Sequence, residues 1–101
     1  KGYSGNGDGK NNPVLEGLKA VGPIPRGMWV IGKPYDSKNV GPFALPLTPA
    51  PGTKTFGRSA FLIHGDSKSA PGTASKGCII IPRLARQRVW DSGDRALEVV
   101  A

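Results

Sequence analysis

Ala60-Phe61-Leu62-Ile63-His64-Gly65-Asp66, followed eight residues later by Ser75-Lys76-Gly77-Cys78-Ile79-Ile80-Ile81, is the stretch on which the reading of this chain turns. Ala60 to Ile63 is a continuous apolar run, the pattern of a strand buried on both faces, and it stops abruptly at His64-Gly65-Asp66. Cys78 to Ile81 is a second such run that starts as abruptly after Ser75-Lys76-Gly77. The thirteen residues between them, Gly65 to Gly77, are rich in Gly, Ser and Pro and too many for a tight hairpin, which marks a candidate functional loop. An antiparallel pairing of the two strands is expected, because it brings the last residue of one beside the first of the other. His64 and Cys78 would then share one rim, with the thiol in hydrogen-bonding reach of the imidazole.

Outward from this centre the elements are shorter and weaker. Met28-Trp29-Val30-Ile31 has the β-branched and aromatic content of a strand and follows a Pro-punctuated turn over Gly22 to Gly27. Phe43 to Leu47 is a second candidate strand, weakened by its flanking prolines, and Arg95 to Val100 a last one. Lys1 to Pro13, Gly32 to Pro42 and Thr48 to Gly57 read as loops. Pro82 can open a helix over Arg83 to Trp90, which Gly93 stops. With 101 residues the chain is expected to be one domain, 1–101. Its 15 Gly and 10 Pro approach the level of low-complexity disorder, yet 38% hydrophobic residues in short runs argue for a core. Both facts fit a mainly β fold, a small sandwich or barrel of short strands with one short helix after the Cys78 strand.

Lys and Arg outnumber Asp and Glu by 14 to 7, a net charge of +7 that attracts polyanions. Nucleic acid and a carboxylate-bearing cell-wall polymer both qualify on charge. The basic residues are scattered, with a dense group only at Arg83, Arg86 and Arg88, and no zinc-finger, aromatic RNA-binding or continuous basic motif occurs, so no nucleic-acid partner is expected. One cysteine excludes an internal disulfide and a thiolate metal cluster. Neither a metal nor a cofactor is expected, since Lys10 is followed by Asn11 rather than the Ser or Thr of a phosphate-cradling loop. No apolar run nears the roughly 18 residues of a membrane span, so no membrane insertion is expected.

The chemistry lies with the only Cys and the only His. A thiol of ordinary pKa, about 8.5, is little ionised near neutrality, and a neighbouring imidazole can make the thiolate the major form. Gly77, lacking Cβ, lets a carbonyl approach and lets the amides of Gly77 and Cys78 face a developing oxyanion. The bland alternatives are plain: a cysteine beside three isoleucines can be a buried hydrophobe, and a lone histidine can be merely hydrogen-bonded. Ser75 and Asp66 solvate the loop or support the pair, and the helix arginines form a solvated face. The second imidazole nitrogen needs an acceptor, for which a backbone carbonyl, of Gly65 or another loop residue, is favoured over the Asp66 carboxylate and the Ser75 hydroxyl.

His64-Gly65-Asp66 followed by Ser75-Lys76-Gly77-Cys78-Ile79 resembles the L,D-transpeptidase motif, in which a histidine precedes a distant Ser or Thr, a residue usually His, then Gly-Cys. Together with Gly22 to Ile31, Tyr3-Ser4-Gly5-Asn6-Gly7 and Asn12-Pro13, the chain most resembles the type VI secretion effectors of that family. The resemblance implies a small L,D-transpeptidase-like β fold with Cys78 as nucleophile, His64 as base, Gly77 and Cys78 as oxyanion amides, and Ser75 at the Ser/Thr position. It implies peptidoglycan stem tetrapeptides as substrate, loss of the terminal D-alanine through a thioester, delivery to the periplasm of a target bacterium and an immunity protein as partner. Lys76 stands where the housekeeping enzymes have His, and Ile80 where they have Arg, so Lys76 and Arg83 are the nearest candidates for gripping a substrate carboxylate. A chain this short, beginning at Lys1, reads as a catalytic fragment lacking a delivery region. A cysteine peptidase or amidase of other specificity, and a non-catalytic basic wall-binding module, are the competing classes.

Overall fold

The computed structural model describes residues 2–19, 21–37, 40–66, 72, 75 and 77–100. The elements run β1 (Tyr3–Ser4), β2 (Gly27–Ile31), β3 (Tyr35–Ser37), β4 (Gly41–Pro49), β5 (Leu62–His64), β6 (Ile79–Ile80), α1 (Arg83–Asp91) and β7 (Ala96–Val99). The strands make one sheet in the order β1-β6-β5-β4-β2-β7, with β3 paired to β4, and it curls into a half-barrel. The architecture is mainly β with one short helix after the strand that Cys78 leads, as expected.

Period-two alternation builds the core. In β2, Trp29 and Ile31 are buried while Met28 and Val30 face outward. Their inward face meets Leu45 and Leu47 of β4, Phe61 and Ile63 around β5, and Ile24. Trp29 packs edge-on against Phe61 with centroids 4.9 Å apart, and its indole N–H donates to the Pro25 carbonyl at 3.1 Å.

Three features differ from expectation. First, β4 is longer than Phe43 to Leu47 and lies inside the sheet despite Pro42, Pro46 and Pro49. Pro46 is tolerated because its missing N–H faces only Gly32, just past the end of β2. The Gly32 N–H still donates to the Pro46 carbonyl at 2.8 Å, and a Cβ on Gly32 would crowd the proline ring. Second, β1 and β3 form within stretches that read as loops, through pairing with β6 and β4.

Third, β5 and β6 are parallel, with Ile63 opposite Ile79 and His64 opposite Ile80. The expected antiparallel pairing is therefore wrong. A parallel pair needs a crossover of about a dozen residues, which the fourteen residues from Gly65 to Cys78 supply, and the other edge of β6 is taken by β1 in antiparallel register. The core takes Phe61, Ile63, Ile79 and Ile81 and leaves His64 and Ile80 on the opposite face. Cys78 lies two residues before Ile80, in the turn that leads into β6.

Candidate active site

Cys78 is half-buried immediately ahead of β6, at the end of a turn that is fixed from three sides. Gly77 has φ +133, a conformation side-chain-bearing residues avoid, and a Cβ there would overlap the Arg58 guanidinium. Ser75 is completely buried and saturated: its Oγ accepts from the amides of Gly5 at 2.8 Å and Gly77 at 3.1 Å and donates to the Cys78 carbonyl at 2.6 Å. Ser75 thus knots the turn together rather than solvating a loop. The Gly77 N–H, expected to face an oxyanion, is engaged by that hydroxyl in this structure. Ala60, at φ +62 just before β5, points its carbonyl at the thiol, which donates to it at 3.7 Å.

Arg58 is the residue that sequence reasoning missed. It is 7% exposed, and its Nη1 donates to the carbonyls of Glu16 and Pro23, its Nη2 to that of Gly22 at 3.0 Å. It also sits over the Phe61 ring, 5.2 Å from the centroid. Burial pushes the Cys78 thiol above its ordinary range, while the Leu62 amide and the Arg58 charge act in the opposite direction.

His64 closes β5 and is 2% exposed. Its Nδ1 lies 2.8 Å from the Gly65 carbonyl. A carbonyl only accepts, so Nδ1 carries the proton and Nε2 is left as the base, by the acceptor favoured from sequence. Burial holds the imidazole below the usual histidine value; the Gly65 carbonyl opposes this, the Arg86 charge adds to it and Asp66 opposes it. Thiol and imidazole are thereby both pushed toward their neutral forms, where a thiolate was expected. The thiol is turned to Ala60 and Leu62, and among the described residues no hydrogen bond joins it to the imidazole.

Asp66 works away from the ring. Its carboxylate accepts from the Tyr3 hydroxyl at 2.6 Å and from the Gly72 amide at 2.9 Å, tying the loop to β1. Gly65 carries the carbonyl that orients His64, and its Cα faces the Arg86 guanidinium. Arg86, taken from sequence as part of a solvated helix face, is 4% exposed and donates to the carbonyls of Phe43, Ile81 and Pro42 at 3.0, 2.6 and 3.2 Å. Arg83 lies over the Phe43 ring, 5.7 Å from its centroid. Lys76 lies outside the described residues.

Beside Cys78 opens a cavity of about 270 Å³ whose lining includes Lys19, Arg58, Ala60, Phe61, Gly77 and Cys78. Among the described residues no cluster of three or more His, Cys, Asp or Glu could hold a metal ion, and no helix is long and apolar enough to cross a membrane.

The family model of the Tlde1 domain matches residues 1–99. The chain belongs to the Tlde1 domain family. No curated protein and no solved structure matches it significantly. Tlde1 membership places the chain among type VI secretion L,D-transpeptidase effectors, with peptidoglycan as the class of substrate and delivery into target cells. The Tlde1 match spans nearly the whole sequence, so both Cys78 and His64 lie within it.

Proposed function

We propose that the chain removes the terminal D-alanine from peptidoglycan stem tetrapeptides through a thioester on Cys78, in the periplasm of a target bacterium. The carrying observation is that Cys78 opens onto a cavity at a turn where Gly77, lacking Cβ, leaves room for the Arg58 guanidinium, while His64 ends the strand paired with the one that Cys78 leads and has its Nδ1 committed to Gly65. The reaction requires the thiol to leave the Ala60 carbonyl and meet the imidazole. Nε2 takes the thiol proton as the sulfur attacks the carbonyl carbon of the third stem residue. Burial disfavours the charged form of both groups, which favours proton transfer in step with attack. The Cys78 amide faces the oxyanion. Collapse breaks the amide bond, and the imidazolium returns the proton to the departing D-alanine amine. Water then releases a tripeptide, whereas an amine acceptor yields D-amino-acid exchange or a cross-link.

The reading is tested by incubating the protein with purified stem tetrapeptides and weighing the products. Loss of one alanine, abolished by Cys78→Ser, is expected. A different scission would point to a peptidase or amidase, and unchanged peptides to a wall-binding module.

A further inference from the structure

The cavity beside Cys78 has a one-sided electrostatic character. Among the described residues its lining contains two cations, Lys19 and Arg58, and none of the seven acidic residues of the chain. The two cations differ in kind. Arg58 is buried and spends its donors on the carbonyls of Glu16, Gly22 and Pro23, which clamps both bases of the loop that carries Lys19. That loop is also closed on itself, with the amides of Val21 and Gly22 donating to the Leu18 carbonyl at 3.3 and 2.8 Å. Lys19 is exposed at its tip. The loop's own carboxylate, Glu16, is held by Arg26 at 2.5 Å, and among the described residues no carboxylate pairs with Lys19.

We infer that Lys19 and the cavity it shares with Cys78 form an anion subsite, which holds a carboxylate of the acyl donor beside the thiol. The identity of that donor as a stem peptide rests on the proposed function; the subsite itself does not. A carboxylate seated there replaces its hydration with the Lys19 ammonium in a cleft whose other walls are Phe61, Ala60 and Gly77, so the charge pair is less screened than on an open surface.

The test uses two alkylating agents that differ only in charge. Iodoacetate and iodoacetamide each form a carbon–sulfur bond with Cys78 and expel iodide, so the ratio of their rates reads the local field for anions. Relative to a small free thiol, the wild-type ratio is expected to favour iodoacetate, and Lys19→Ala should lower it by roughly two- to fivefold, the range for a partly exposed ion pair. Lys19→Glu should lower it further, Lys19→Arg should keep it, and the iodoacetamide rate should change little in any of the three. A ratio equal in wild type and Lys19→Ala would overturn the subsite. In parallel, Lys19→Ala should raise KM for a free-acid stem tetrapeptide while sparing kcat, and should lose the wild-type preference for that peptide over its terminally amidated form. An unchanged alkylation ratio with D-alanine still released would sink the subsite and leave the proposed function standing. A lowered ratio with no D-alanine released by the wild type would do the reverse.

Discussion

Arg58 and Arg86 are both buried, and each donates to three backbone carbonyls, yet they stand at opposite ends of the strand that closes with His64. Arg58 lies just before β5, against the Gly77–Cys78 turn; Arg86 lies beside Gly65, just after it. As staples they are alike, because a planar five-donor guanidinium can satisfy several carbonyls at once. As charges they act oppositely in consequence. A cation beside a thiol favours its ionised form, whereas a cation beside an imidazole disfavours its ionised form. One buried charge therefore eases formation of the nucleophile, and the other keeps the base unprotonated and ready to accept. Burial outweighs both, so the thiol lies above and the imidazole below its ordinary value.

The comparison breaks most severely at the two groups the arginines face. Cys78→Ser and His64→Ala should each reduce turnover by roughly 10³-fold or more with circular dichroism unchanged, since neither side chain belongs to the core cluster. If both variants unfold, the residues are structural. Next in size is the loss of a staple. Arg86→Met should destabilise by about 3 kcal/mol in urea unfolding, because it strips donors from three carbonyls, one of them belonging to Phe43 at φ +55. A loss below about 0.5 kcal/mol would mean that water replaces the guanidinium, within the range of an ordinary surface substitution.

The opposite signs are sharpened by glutamine at each position. Arg86→Gln should move the acid limb of kcat/KM upward toward the ordinary histidine value, because the cation that disfavours imidazolium is gone. Arg58→Gln should leave that limb in place and move the pH dependence of Cys78 alkylation further up. Shifts in the same direction and on the same limb would contradict the division of roles. The smallest effect is on stability. His64 has a folded pKa below its unfolded value, so its contribution is present above about pH 6.5 and is lost as pH falls through the folded value. His64→Gln should flatten the fall of the melting temperature over that window, and an identical pH profile in the variant would contradict the burial of a neutral ring.

What the sequence makes legible follows from how local each signal is. The alternating β2 and α1 between Pro82 and Gly93 are set by neighbours a few residues apart and form where expected, whereas the apolar runs Ala60 to Ile63 and Cys78 to Ile81 yield only the shorter strands Leu62–His64 and Ile79–Ile80. The group that orients His64 is a backbone carbonyl, as favoured from sequence, and it belongs to the next residue, one of the loop carbonyls left open there. Strands β1 and β3 span two and three residues and exist only through their partners in the sheet. The direction of β5 against β6 is decided by the path of a loop, not by either run. Arg58 is the sharpest case, since the carbonyls it holds lie 35 to 42 residues upstream and nothing around Gly57-Arg58-Ser59 marks it for burial. Ser75 was visible as a motif position, but its three hydrogen bonds, one reaching 70 residues back to Gly5, were not.

The central claim is that the sulfur of Cys78 carries the acyl group. Acid-quenching the protein during turnover of a stem tetrapeptide and measuring its intact mass, followed by peptide mapping, tests this directly. The account predicts a mass increase equal to the tripeptide acyl group, located on Cys78 and absent from Cys78→Ser. Release of D-alanine by Cys78→Ser, or an acyl group mapped to any other residue, would contradict it.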